Sequence, residues 1–176
     1  FSVLCPPDAS GVQAVQLIGT DGASEFKLIL MDQLRTIEAN ENRSVEKAAK
    51  IESPIAVDSA LKSEQVDYYK FSAKAGQSYS IEVIAHRIGS QMDPVVRELR
   101  KNGDELAFCD DEGGVWKDAR FRFVAPLTDE YILAVHDTGY GGGNNYEYRL
   151  RVSNDPLVWY TFPLADASET GARFEA

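Results

Sequence analysis

The sequence predicts an all-β chain: an antiparallel β-sandwich, jelly-roll-like, of about eight short strands, with extra strands on either flank. Three observations predict it. Between Gln65 and Val152 apolar residues recur with period two, the mark of strands with one buried face. Turn signals, among them Asp93-Pro94, Gly113-Gly114 and Thr138-Gly139, separate the runs. No helical pattern alternates with the strands, which excludes a doubly wound parallel sheet.

The elements follow in order. Residues 12–18 and 26–30 read as two strands joined by Gly19-Thr20-Asp21-Gly22, and an isolated pair of this kind is marginal in water. Residues 1–37 are therefore the expected tail of a preceding β module or a flap on the main one. The linker that follows is polar, and residues 45–51 suggest a turn or two of helix capped by Ser44 and ended by Pro54. The main module, 38–153 with its linker, takes strands at 55–57, 67–73, 79–85, 95–99, 106–109, 120–124, 131–135 and 146–152. Tyr69, Phe71 and Ala73, then Tyr79, Ile81 and Val83, then Tyr148, Leu150 and Val152 share buried faces by alternation. Residues 154–176 read as the start of a following β segment, or as a strand that pairs with the first two.

Composition bounds the function. Hydrophobic residues are 44% of the 176, ample for a core, and a sandwich of roughly 100 residues folds unaided. The net charge of −10 and the lack of a clustered basic stripe exclude phosphate-backbone recognition. No apolar run approaches the ~20 residues that span a bilayer, so membrane insertion is not expected. The chain begins at Phe1 and reads as a piece of a longer protein. Cys5 and Cys109 are too few for a disulfide framework; they either pair across modules or stay as two buried thiols.

The order of several short motifs carries a family resemblance. Val66-Asp67-Tyr68-Tyr69-Lys70-Phe71, Ala75-Gly76-Gln77, Gly89-Ser90-Gln91-Met92-Asp93-Pro94, Asp110-Asp111, Glu130-Tyr131-Ile132-Leu133-Ala134-Val135 and Tyr148-Arg149-Leu150 together resemble the bacterial pre-peptidase C-terminal domain. The version most alike is that of multidomain secreted proteins of planctomycete type. The likeness covers about 38–152, and the flanks are similar to parts of immunoglobulin-like modules. It implies an accessory, non-catalytic sandwich of a secreted, periplasmic or cell-surface protein, akin to the collagen-binding domains of clostridial collagenases, with calcium at the junction of linker and sandwich. Carried onto this chain, the implied calcium ligands are Glu38, Asn42, Glu64 and Asp67. Asn40 stands where the motif has a carboxylate, and Arg43 brings a cation where an oxygen is expected. Both changes work against a divalent ion, which wants six to eight hard oxygens.

Other residues carry alternatives. Asp93, Asp110, Asp111, Asp118 and Asp137 lie at strand ends that a sandwich gathers, so they form either a second cation site or a set of turn caps. Their spacing is not that of an EF-hand loop. Trp116, Tyr140 and Tyr146, around Gly141-Gly142-Gly143, suit a binding surface for an extracellular protein or polysaccharide, and equally an ordinary hairpin turn. Asp137-Thr138-Gly139 resembles an aspartic-protease signature, but one copy supplies one carboxylate, and the chemistry needs two, hence a dimer. His86 and His136 have no cysteine or second histidine nearby in sequence, which argues against zinc.

Overall fold

The computed structural model describes residues 9–39, 41–111 and 113–158. Fourteen strands follow in chain order: β1 Gly11–Val15, β2 Ile18–Gly19, β3 Gly22–Ala23, β4 Lys27–Met31, β5 Thr36–Glu38, β6 Ala49–Ile51, β7 Ile55–Ala60, β8 Asp67–Ala73, β9 Ser78–Ile84, β10 Pro94–Arg100, β11 Glu105–Cys109, β12 Ala119–Val124, β13 Asp129–Asp137 and β14 Glu147–Ser153. One 3-10 turn, His86–Ile88, lies between β9 and β10. The fold is a sandwich of two five-stranded sheets, ordered β11-β10-β13-β8-β6 and β12-β9-β14-β7-β5.

The expected all-β sandwich is what forms, with two additions. β5 and β6 each add a short edge strand, and both pair parallel, Ile37 opposite Val57 and Ile51 opposite Phe71. The sheets are therefore mixed. The helical reading of 45–51 gives way here. Ser44 does cap a turn through Lys47 N–H, but Ala49–Ile51 then finds hydrogen-bond partners on β8. A strand with a sheet edge to join outweighs a few residues of helix propensity.

The core lies where the alternation puts it. Tyr69, Phe71, Ile81, Val83, Leu133, Val135, Leu150 and Val152 are buried between the sheets. Phe71 packs edge-on to Tyr79 at 5.4 Å, and Phe123 to Tyr131 at 5.0 Å, the geometry aromatic rings prefer.

The outer face of the second sheet carries a ladder of charges. Glu82 sits between Arg87 and Arg151, at 2.7 and 3.2 Å. Beside it Arg149 grips Asp32 with two nitrogens, at 3.0 and 2.8 Å, and reaches Asp58 at 2.6 Å and Thr36 at 2.8 Å. Burial works to raise the Asp32 carboxyl, but Arg149, the Leu34 amide and Arg151 together hold it below its usual range. A bidentate, half-desolvated pair of this kind is stronger than a surface ion pair. It ties the segment before β5 to β14. The β1–β4 hairpin beyond it stays largely exposed, with Ile18 and Phe26 facing solvent.

Candidate functional site

Strand directions bring four loops, 61–66, 85–93, 110–118 and 138–146, to one end of the sandwich. Three of them, 61–66, 85–93 and 138–146, are stitched together by backbone groups. Glu64 N–H donates to Tyr140 O, Gly143 N–H to Leu61 O, Gln91 N–H to Asn145 O, and Thr138 N–H to Asp93 O. Gly142 is obligatory at one crossing, where a Cβ would lie 2.2 Å from the Lys62 carbonyl carbon.

Three of the acids named from sequence meet here. Carboxylate oxygens of Asp93, Asp110 and Asp111 lie within 4.8 Å of one another, a spacing one cation can bridge. Lys117 Nζ stands 2.6 Å from Asp93, and Thr138 Oγ1 donates to Asp110. Asp137 borders the group but is spent as a cap. It accepts the N–H groups of Asp93, Gly139 and Gly141 at 2.9, 3.0 and 2.9 Å. Its role in the aspartic-protease alternative would require freeing those bonds.

Asp118 stands apart from the trio. Fully buried, it accepts the N–H groups of Ala85 at 3.0 Å, His86 at 2.6 Å and Arg87 at 3.4 Å, and pairs with Arg87 Nε at 2.6 Å. It pins the turn that follows β9.

Two of the three aromatics are on display. Trp116 is 76% exposed and Tyr140 47%, and both hold a left-handed backbone, φ 60° and 54°. That conformation costs a non-glycine residue on the order of 1 kcal/mol. Trp116 lies 5.8 Å from the His86 ring and flanks a groove of about 400 Å³ lined by Leu28, His86, Arg87 and Val115. Tyr140 stacks flat on buried His136 at 4.7 Å. Tyr146 instead packs partly buried against the core.

The linker-side set divides likewise. Asn42 and Asp67 are buried, and Asn42 braces β8: its side-chain Nδ2 donates to Tyr68 O while its backbone carbonyl accepts from Tyr68 N–H. Asp67 accepts from Tyr148 OH at 2.7 Å and Ser59 Oγ at 3.2 Å, and Tyr148 OH lies 2.5 Å from Tyr69 OH. Arg43 Nε is 3.0 Å from the other Asp67 oxygen, an ion pair not aligned as a hydrogen bond. Burial nonetheless raises the Asp67 carboxyl above its usual value, against Tyr148, Arg43 and Ser59, which lower it. Burial and then the Asp67 charge push Tyr69 up to about 12. Glu38 lies exposed on β5 opposite Asp58, and Glu64 sits in a turn at φ 62°. Among the described residues these two do not join Asp67 in a three-carboxylate group. A divalent ion at Asp67 would have to displace the guanidinium.

Sequence reasoning missed the Arg149–Asp32 grip and Glu98, a buried acid on β10. Cys5 lies outside the described residues; Cys109 is buried, its Sγ 3.3 Å from Arg120 O.

No protein-family model matches the sequence, and no curated protein matches it. Solved structures do. The pre-peptidase C-terminal domain of a collagenase from Bacillus anthracis superposes with a TM-score of 0.50 at 18% identity, over 65% of this chain and all of that one. PliG of Aeromonas hydrophila, a periplasmic inhibitor of g-type lysozyme, superposes at 0.44 with 13% identity, over 70% of this chain and 98% of its own. The first likeness defines the class by fold: an all-β sandwich domain. More particularly, the chain carries a β-sandwich like that of the pre-peptidase C-terminal domain. Among the described residues no helix is long and apolar enough to cross a membrane.

Proposed function

We propose that this chain is a non-catalytic accessory module of a secreted or surface protein, and that it binds an extracellular protein or polysaccharide through the four-loop end of the sandwich. One observation carries the reading. Trp116 and Tyr140 are both exposed, Tyr140 on a loop held by backbone hydrogen bonds to its neighbours and Trp116 on one held to the 85–93 loop through the side chains of Asp118 and Lys117. Rigid aromatic anchors give contact area at low entropic cost. Retention on immobilised cellulose, chitin and collagen tests it. A folded Trp116→Ala, Tyr140→Ala double variant should lose at least tenfold in affinity for whichever support retains the parent chain. Undiminished retention would move the binding surface elsewhere.

A second reading adds calcium at Asp93, Asp110 and Asp111, favoured by the closeness of their oxygens. Lys117 already satisfies part of that charge, so the ion competes with it. Calcium at 100 times its dissociation constant should add about 2.7 kcal/mol, a rise of several degrees in the thermal midpoint, reversed by EDTA. The rise should vanish in Asp110→Asn, Asp111→Asn. A midpoint indifferent to both calcium and EDTA would leave these acids as turn residues alone, and the module as a binding or spacing domain without a metal.

A further inference from the structure

Glu98 places a second buried carboxyl, besides Asp67, in a largely apolar interior. It alternates with Val96 on the inward face of β10, opposite Leu133 of β13 and Ala107 of β11, and it has no exposed surface. Neither carboxyl oxygen has a hydrogen-bond partner among the described residues. The ionisable side chains sharing that interior are Cys109 on β11, Tyr131 on β13, Tyr79 on β9, Asp67 and Tyr69 on β8, and Tyr148 on β14, the last three bonded to one another. The charged residues Arg97, Glu82 and Arg120 alternate with core residues of β10, β9 and β12 and so stand on the outer faces, while Arg100 and Glu105 are exposed. No described residue forms an ion pair with Glu98.

Its position in the sheet is as telling as its burial. Glu98 borders a bulge: Glu98 pairs with Ala107 and Leu99 with Glu105, so Leu106 is the extra residue. Bulges weaken pairing locally. β11 is also the edge strand of its sheet, held on one side only, and it runs directly into Asp110 and Asp111 of the loop end.

We infer that Glu98 is a proton-operated latch on β11: as a neutral acid it lets the edge strand close on the core, and as a carboxylate it must reach water, which opening β11 at the bulge provides. An unpaired buried carboxylate is far costlier than a buried neutral acid, so the folded state keeps the proton. In agreement, burial alone pushes the Glu98 carboxyl from 4.5 up to about 9. Between those values the folded chain holds a proton that the unfolded chain has released. The latch's contribution is therefore complete below about 4.5 and is lost progressively as pH rises to about 9. The consequence is directional: alkalinity loosens the strand that leads into the acid trio.

The test is urea unfolding of the whole chain from pH 5.5 to 9.5, with hydrogen exchange corrected for intrinsic rates. The folded-to-unfolded ratio of the parent should fall by up to about tenfold per pH unit. Exchange protection should fail first in β11. Glu98→Gln should flatten the pH dependence, and Glu98→Met serves the same purpose should the buried amide impair folding. Carboxyl carbon NMR reads the parent directly, where Glu98 should remain protonated at pH 7. Cys109→Ser should keep the parental response. The latch is overturned by a Glu98 carboxyl that titrates near 4.5, by variants that track the parent, by loss of the response in Cys109→Ser, or by protection failing in β9 and β14 together with β11.

Discussion

In Asp118→Ala the thermal midpoint falls by about 10 °C, the largest single loss we expect in the sandwich. The carboxylate has no exposed surface and accepts three consecutive backbone N–H groups, those of Ala85, His86 and Arg87. Removing it leaves those donors without their acceptor at the end of β9, and leaves Arg87 with Glu82 alone. Each buried orphan costs about 1–3 kcal/mol, and partial access of water to Arg87 holds the sum near 4. For a chain of this size 1 kcal/mol corresponds to roughly 2–4 °C. Asp118→Asn should recover part of the loss, since the amide oxygen still accepts while its NH2 faces other donors. Calorimetry of the two variants checks the order. A loss below about 1 kcal/mol in the alanine variant would mean that other groups hold the turn, and Asp118 would again be available as a ligand.

That role shows where sequence stops being informative. Strand β8 was legible to the residue, because Tyr69, Phe71 and Ala73 alternate cleanly and Asp67 begins the run. β5 and β6 were not, since three polar-flanked residues give no periodicity and their parallel partners lie about twenty residues away. The acids were legible as strand-end residues, but not their partners. Asp118 and Asp137 both look like local turn residues, yet Asp118 serves amides more than thirty positions earlier. Glu98 escaped for a different reason. In Val95-Val96-Arg97-Glu98-Leu99 each parity mixes apolar residues with a charge, Val95, Arg97 and Leu99 against Val96 and Glu98, so the pattern could not say which charge faces inward. Packing against Leu133 decides it. Arg43 was the opposite case: a departure from the family motif visible in the sequence, whose structural partner is Asp67.

Arg43→Ala is expected to cost about 3 kcal/mol at neutral pH, and markedly less in acid. The pair joins a wholly buried carboxylate to a guanidinium about a quarter exposed. Breaking a buried pair from one side strands the remaining charge, typically at 3–5 kcal/mol, and the partial exposure of Arg43 argues for the low end. The pH dependence follows from the sign of the Asp67 shift. Burial already raises that carboxyl above 3.8, and without Arg43 it rises further. A raised folded value means a contribution that is complete in acid and lost as pH climbs through it. The variant should therefore lie well below the parent at pH 7 and approach it on acidification to pH 4, the direction in which Asp67 takes up its proton. Tyr148 and Ser59 hydroxyls still solvate the neutral acid, so the fold survives there. Urea midpoints at the two pH values decide the matter, and equal losses at both would sink the electrostatic account in favour of lost packing by the Arg43 stem. Adding calcium to the variant at pH 7 gives a further reading. Recovery with the ion would mean that Asn42 and Asp67 are half of a divalent site that Arg43 fills in the parent chain. No recovery would mean that too few oxygens surround Asp67, and that Arg43 is there because the buried carboxylate needs one positive charge and the linker offers no other way to supply it.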